Sequence, residues 1–123
     1  MKLTHFLALS ALGTVAATAM AVTTADQPVI GLITKTEINP FFVKMKEGAQ
    51  QAAQAGGAKL LTGAGKSDGD NAGQVTALEN MIAAGAKTIL ITPSDAKAIV
   101  PSIKKARDKG VMVIAMDLSL IHI

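Results

Sequence analysis

Cysteine, tryptophan and tyrosine are absent from the 123 residues of this chain, which has only three phenylalanines and two histidines. Without cysteine there can be no disulfide, no thiolate metal site and no cysteine nucleophile. The two histidines, His5 and His122, lie in the terminal segments, and the sequence offers no convincing pair of carboxylates. General acid–base and nucleophilic catalysis therefore have little support. We predict a protein that is not an enzyme and that uses no metal or cofactor.

The excess of positive over negative charge is also small. The formal net charge at pH 7 is +3, and the basic residues are scattered along the chain. Their densest cluster, Lys104-Lys105 and Arg107, is too small for a nucleic-acid surface, so we expect no nucleic-acid partner. We also expect a monomer. Hydrophobic residues make up 50% of the chain, which is enough for the core of one domain or of part of one.

The first residues have the pattern of a secretory signal peptide. Lys2 precedes an apolar stretch over residues 6–17, and the small-x-small pattern Ala19-Met20-Ala21 follows. We predict a cleaved signal peptide over residues 1–21, with cleavage after Ala25 as the alternative. A membrane anchor is the competing interpretation, but the apolar stretch is shorter than the roughly 20 residues that span a bilayer.

Four short apolar runs alternate with three amphipathic segments after residue 26. The runs predict β-strands at residues 29–33, 58–61, 88–91 and 111–115. The amphipathic segments predict three helices, each ended by glycine. The first begins at Pro40, the second is capped by Asp70, and the third is capped by Ser94 or Asp95. Their expected inward residues are Phe42, Met45, Ala49, Ala52, Val75, Leu78, Ile82, Ile99, Ile103 and Ala106. This order predicts an α/β fold with a parallel, doubly wound, Rossmann-like sheet, in one domain over residues 26–117.

The loop after the first predicted strand carries the only aromatic residues of that domain. In open parallel sheets, ligands bind beyond the carboxyl ends of the strands. Asn39-Pro40-Phe41-Phe42 places an amide and two rings there, which suits a small polyhydroxy ligand. Two interpretations stay open. Asn39 and Phe42 are a helix cap and a core residue only, or Asn39 lies near the ligand while one ring, by preference Phe41, faces the cleft.

Two charged residues are further candidates at the same edge. Asp117 follows the fourth predicted strand, and its carboxylate can accept two hydroxyl hydrogen bonds. The alternative for Asp117 is a residue of a turn or cap. Lys35 flanks the predicted cleft and contacts either ligand or water. The predicted ligand-binding residues are therefore Asn39, Phe41, Phe42, Asp117 and Lys35.

A phosphate-binding loop is the main competing motif, at Gly63-Ala64-Gly65-Lys66-Ser67. That motif requires another glycine, separated by four residues from the final Gly-Lys-Ser, and Leu60 occupies its position. The segment also lacks a helix directly after it. We therefore do not favour nucleotide binding.

The last six residues do not continue the α/β pattern. Residues 118–123 are mostly apolar and contain neither a helix cap nor a glycine. A parallel sheet that ended at Asp117 would leave its last faces uncovered. We interpret the chain as a truncated frame, with residues 118–123 as a tail that is not native.

Six sequence blocks occur in a fixed order between residues 28 and 117. They are Ile30-Gly31-Leu32-Ile33, Asn39-Pro40-Phe41-Phe42, Gly69-Asp70-Asn71 with Gln74, Glu79-Asn80-Met81-Ile82, Ile91-Thr92-Pro93-Ser94-Asp95 and Val113-Ile114-Ala115-Met116-Asp117. Together these blocks resemble the periplasmic sugar-binding proteins of ABC importers, in the ribose- and fructose-type group of type I folds. The chain resembles the N-terminal lobe only, without the hinge and the second lobe.

The resemblance implies a function and a set of residue roles. It implies a receptor that binds a monosaccharide in the periplasm and delivers it to the membrane-embedded permease. Asn39 would bond sugar hydroxyls, Phe41 and Phe42 would form a stacking wall, and Asp117 would anchor hydroxyls, with Lys35 as a weaker candidate. The family usually has a polar residue after the aspartate, whereas this chain has Leu118, which agrees with a tail that is not native.

Two other functions share this class of fold. The sugar-sensing domain of a transcriptional repressor would require an N-terminal DNA-binding helix-turn-helix, where this sequence has a predicted signal peptide. A nucleotide-dependent enzyme on a doubly wound sheet is disfavoured by the broken phosphate loop. Because fold alone does not decide function, the N-terminus and the residues at the strand ends are the features that separate these possibilities.

Overall fold

The computed structural model describes residues 26–117. The predicted signal peptide over residues 1–21, its alternative cleavage after Ala25 and the tail at residues 118–123 lie outside the described residues. These three interpretations stay predictions.

Seven elements alternate along the described residues, as the apolar pattern predicts. They are β1 (Val29–Thr34), α1 (Pro40–Gly56), β2 (Lys59–Ala64), α2 (Asn71–Ala83), β3 (Thr88–Ile91), α3 (Val100–Asp108) and β4 (Met112–Ala115). The sheet has the order β2-β1-β3-β4, and every neighbouring pair is parallel. The chain moves outward from β1 to β2 and then crosses back to β3, so right-handed connections place α1 on one face and α2 with α3 on the other. The predicted parallel α/β fold is confirmed.

The main core lies between the sheet and the pair of helices α2 and α3, which also pack against each other. The strands β1 and β3 are mostly apolar because both of their faces are covered. The buried residues of this core are Ile33, Leu78, Met81, Ala86, Ile89, Ile91, Ile99, Ala106 and Val111. The core therefore packs the middle strands closely, and the loops at the strand ends start from these packed positions.

Two predicted element bounds are wrong by more than one residue. β2 extends to Ala64, beyond the predicted end at residue 61, because it pairs with β1 over its full length up to Thr34. α3 begins at Val100, later than predicted. Asp95 instead caps a separate turn, where its Oδ1 accepts hydrogen bonds from the backbone N–H groups of Lys97 at 2.8 Å and Ala98 at 2.9 Å.

The inward face of α1 differs by one position from the prediction. Ala53 is buried and Ala52 is exposed, whereas the sequence pattern placed Ala52 inward. Three turns of an α-helix take about 10.8 residues. Position 53 therefore lies in the same direction as the buried Phe42, and position 52 does not.

Among residues 26–117 the sheet has two outer strands, β2 and β4, and β4 is the more exposed of its apolar strands. β4 is the last strand there, and its side chains of Met112 and Ile114 are 60% and 44% exposed. Exposed apolar side chains on a parallel strand are typical of a sheet that lacks a covering layer. This agrees with the expected incomplete lobe.

Candidate ligand-binding site

The carboxyl ends of all four strands lie at one edge of the sheet, because the strands are parallel. Thr34 pairs with Ala64, and Ile91 pairs with Ala115, so the strands end at nearly the same level. The predicted site residues lie at two places along this edge, after β1 and after β4. These two strands are separated by β3, and the usual strand spacing puts their ends about 10 Å apart. A small ligand can lie across such a distance.

Asn39 is the N-cap of α1. Its backbone is extended, with φ −71° and ψ 124°, and its Oδ1 accepts a hydrogen bond from the N–H of Phe41 at 3.0 Å. Pro40 fits the first helical turn, where the helix needs no backbone donor. Because the cap uses Oδ1, the Nδ2 group is the part of Asn39 that can donate to a ligand hydroxyl. Asn39 is thus confirmed as a helix cap, and a contact between Asn39 and a ligand stays a prediction.

The two phenylalanines have opposite environments although they are adjacent. Phe41 is 58% exposed, whereas Phe42 is 5% exposed. Their ring centroids lie 5.2 Å apart in an edge-to-face arrangement, with 76° between the planes. The buried ring of Phe42 thus supports the exposed ring of Phe41. This burial favours a supporting role for Phe42, and Phe41 is the ring with surface available for a ligand.

Two buried threonines, which the sequence analysis missed, shape the loop between β1 and α1. Thr34 Oγ1 donates to the carbonyl oxygen of Thr36 at 3.0 Å, and the N–H of Asn39 donates to Thr36 Oγ1 at 3.3 Å. Both threonines are 5% exposed. Side-chain hydrogen bonds of this local type fix turns. They hold the backbone of Asn39 at a defined distance from the end of β1.

Lys35 is half-buried at the start of this loop. The loop between β2 and α2 packs closely against it at Gly65. A Cβ atom added at Gly65 would lie 2.9 Å from the carbonyl oxygen of Asp70 and 3.0 Å from that of Lys35. Only glycine permits this approach, so the two loops lie side by side at the carboxyl edge.

Asp70 organises the loop between β2 and α2. Its Oδ2 accepts from the N–H of Lys66 and its Oδ1 accepts from the N–H of Gly73, each at 2.9 Å. The hydrogen bond from Lys66, followed by that from Gly73, holds the pKa of Asp70 below its ordinary value. The predicted cap at Asp70 is confirmed. Gly63 belongs to β2 and α2 begins only at Asn71, an arrangement unlike a phosphate-binding loop.

A shallow cleft of about 500 Å³ lies between these two loops. It is lined by Thr36, Ile38, Asn39, Pro40, Lys66, Ser67 and Asp68. Ile38 is 85% exposed at its rim. The cleft therefore combines polar groups with an apolar border, next to the predicted ligand residue Asn39.

Asp117 lies where β4 ends. The strand ladder continues to Met116, whose N–H donates to the carbonyl oxygen of Ile91 at 2.8 Å. Asp117 then adopts a positive φ of 53°, a conformation that aspartate tolerates better than most residues. Its exposed side chain shares the carboxyl edge with Asn39 and Phe41. The turn interpretation is compatible with a ligand role, which stays a prediction.

Gln74 is a further residue at this edge that sequence reasoning missed as a site element. It lies in α2, is 0% exposed, and its side chain bonds to the backbone at the ends of both β1 and β3. One signal in the sequence marks it. Gln74 precedes Leu78 by four residues and Met81 by seven, so a polar residue occupies the apolar face of the helix.

Within residues 26–117, His, Cys, Asp and Glu side chains form no cluster of three or more that could hold a metal ion. The helices of this part of the chain are also too short or too polar to cross a membrane.

The fold and the site define a class of protein. A parallel α/β lobe that presents amide, aromatic and carboxylate side chains at the carboxyl edge of its sheet has the arrangement of a small-ligand receptor. Residues 30–120 match the family model of the periplasmic binding protein domain, and the chain belongs to this family. The resemblance drawn from the six sequence blocks is confirmed.

Relatives of the chain are sugar-binding proteins. The D-ribose/D-allose-binding protein of Pseudomonas aeruginosa is 36% identical over 96 residues, which cover 76% of this chain and 30% of that protein. The ribose import binding protein of Escherichia coli is 36% identical over 110 residues, which cover 89% of this chain and 34% of that protein. The chain thus spans about a third of the length of these relatives.

Solved structures show the same correspondence. An ABC transporter solute-binding protein from Burkholderia multivorans superimposes with a TM-score of 0.72 at 36% identity, over 76% of this chain and 34% of that protein. A periplasmic solute-binding protein from Actinobacillus succinogenes, which holds bound D-allose, has a TM-score of 0.71 at 32% identity. It covers 76% of this chain and 33% of that protein.

Proposed function

We propose that the intact protein is the solute-binding component of an ABC sugar importer, which binds a monosaccharide in the periplasm and delivers it to the membrane permease. One observation carries the proposal. The exposed ring of Phe41 and the Nδ2 donor of Asn39 lie together at the carboxyl edge of the sheet. A ring face and an amide donor match the C–H face and the hydroxyl groups of a sugar. Binding of ribose or allose by relatives supports the same ligand class.

Each predicted site residue has a separate role in this proposal. Asn39 donates a hydrogen bond to a hydroxyl, and Phe41 covers an apolar sugar face while Phe42 holds its ring in place. Asp117 accepts hydrogen bonds from two hydroxyls, which are strong because the acceptor is charged. Lys35 borders the ligand from the start of the β1–α1 loop. These roles combine apolar contact with directional hydrogen bonds, as small-ligand sites require.

The proposed mechanism is closure of two lobes on the sugar. Residues 26–117 provide one lobe, and a second lobe supplies the remaining contacts. Because the sugar contacts both lobes only when they are close, it stabilises the closed state, which is the state presented to the permease. In this proposal the signal peptide at residues 1–21 directs export, and the protein acts as a monomer, without catalysis and without nucleic acid.

The alternative of a repressor's sugar-sensing domain is less well supported. Its fold would be similar, but the E. coli relative is an import binding protein. The P. aeruginosa relative is likewise a sugar-binding protein. No feature of the carboxyl edge favours the repressor over the transport receptor.

Titration calorimetry of the intact protein with D-ribose, D-allose and a panel of other monosaccharides tests the function. We expect Asp117→Ala to weaken sugar binding at least tenfold, about 1.4 kcal/mol. Asp108→Ala is the matched control, since it removes the same charge at the far end of α3. If the unaltered protein binds no monosaccharide, the proposed function is wrong. If Asp117→Ala binds as well as Asp108→Ala, the function stands and the role of Asp117 is wrong.

A further inference from the structure

Gln74 is a polar side chain inside an apolar core. It is 0% exposed, and the next inward residues of α2 are Leu78 and Met81. Burying an amide is unfavourable unless its polar atoms find partners, and a leucine or methionine would fill the same space without that requirement. The cost of burying the amide must therefore be offset by hydrogen bonds to the groups that it joins.

Those groups belong to two different strand ends. Gln74 Nε2 donates to the carbonyl oxygen of Thr34 at 3.0 Å and to that of Thr92 at 2.9 Å. Its Oε1 accepts from the N–H of Ser94 at 2.8 Å. The ladder between β1 and β3 ends where the N–H of Thr92 bonds to Ile33. The Gln74 amide thus joins the two chain segments at the point where backbone pairing stops.

The first segment leads to the predicted ligand residues after β1. Thr34 Oγ1 donates to the carbonyl oxygen of Thr36, and Thr36 Oγ1 accepts from the N–H of Asn39. Asn39 Oδ1 then accepts from the N–H of Phe41. A series of hydrogen bonds of 3.0–3.3 Å therefore connects the Gln74 side chain with the cap that carries the exposed ring.

The second segment leads into the loop after β3. Ser94 is followed directly by Asp95, whose carboxylate caps the turn before α3. This loop emerges from the strand that separates β1 from β4. It therefore lies between the loop of Asn39 and the loop of Asp117, and its position sets the width of the site.

We propose that Gln74 is a positioning residue for ligand binding, which fixes the β1–α1 loop relative to the β3–α3 loop. Its three hydrogen bonds have a fixed geometry because one planar amide makes all of them. The consequence for sugar affinity rests on the proposed function. The coupling between the two loops does not, because it can be measured without a ligand.

The variant Gln74→Met tests this in the full chain, since methionine has a similar length but cannot pair with the three backbone groups. Gln74→Asn is a milder second variant that keeps the amide and shortens the side chain by one methylene. Val75→Ala is the matched control, because Val75 packs against the same core without bonding to either loop. Amide hydrogen exchange, measured in the absence of sugar, reports local opening of the two loops: Ser94 reports the β3–α3 loop and Asn39 reports the β1–α1 loop. Unfolding by denaturant reports global stability for each variant.

In Val75→Ala, exchange at both amides changes only through the loss of global stability. In Gln74→Met, we expect exchange at both amides to be at least tenfold faster than such a loss of stability explains. The response of Asn39 is decisive, because Asn39 has no direct bond to Gln74. We also expect at least tenfold weaker sugar binding, under conditions where both variants are folded. Exchange at Asn39 equal to that in Val75→Ala overturns the loop coupling. Altered exchange with unaltered affinity overturns the role in binding. If the unaltered protein binds no sugar, the proposed function fails, and exchange still decides the coupling.

Discussion

Replacing Asn39 by serine and, separately, by alanine separates its role as a helix cap from its role with a ligand. Asn39 Oδ1 accepts one hydrogen bond, at 3.0 Å, from the N–H of Phe41. Serine caps helices about as well as asparagine, so we expect Asn39→Ser to change the free energy of unfolding by only a few tenths of a kcal/mol. Alanine has no acceptor, and we expect Asn39→Ala to lower that free energy by about 1 kcal/mol.

Both variants lack the Nδ2 donor, so both should bind sugar more weakly by the same factor. A net hydrogen bond contributes roughly 0.5–1.5 kcal/mol, and a sugar hydroxyl left unpaired in a closed cleft adds to the loss. We therefore expect about a tenfold loss of affinity, or about 1.4 kcal/mol, in each variant. Calorimetry measures the affinity and denaturant unfolding measures the stability, both on the intact protein. Wild-type affinity in Asn39→Ser, with lower affinity only in Asn39→Ala, would refute the donor role and leave Asn39 as a cap.

Two further predictions use the same measurements. Phe41→Ala should weaken sugar binding with little loss of stability, because this ring is 58% exposed. Phe42→Ala should lower the free energy of unfolding by about 3–5 kcal/mol, because its ring is 5% exposed. Equal stability losses in the two variants would contradict these environments. The hydrogen bonds to Asp70 lower the pKa of its folded-state carboxyl below the ordinary 3.8, so Asp70 contributes stability above that pH and loses it as the pH falls toward the folded-state pKa. The difference in unfolding free energy between the wild type and Asp70→Ala should thus be constant near neutral pH and shrink below about pH 4; a difference that grows in acid would contradict this sign.

The order of elements was predictable because it depends on local pattern. Short apolar runs between amphipathic segments, such as residues 88–91, give short buried strands, and the structure places β3 at Thr88–Ile91. The caps at Asn39 and Asp70 were predictable for the same reason, since a cap and its partner lie within three residues of each other. The alternation of these elements then implies a parallel sheet whose carboxyl edge holds the site.

Element bounds depend on partners elsewhere in the chain. Residues 62–64 contain a threonine and a glycine and do not continue the apolar run, yet they belong to β2 because β1 pairs with them. The start of α3 was misplaced because Asp95 is a good cap for a single turn as well as for a helix. Local propensity does not distinguish these outcomes.

Within the site, the sequence by itself determined which residue types follow each strand, namely an amide and two rings after β1 and a carboxylate after β4. The helical spacing of Phe42 with Met45 also placed Phe42 inward and left Phe41 toward the cleft, and the exposed fractions of 5% and 58% agree with this. Only the tertiary structure revealed the role of Gln74, whose backbone partners Thr34 and Thr92 are 40 and 18 residues away along the chain. Caps and periodicity act between near neighbours, whereas a buried amide is paired by whatever backbone the folded sheet brings to it.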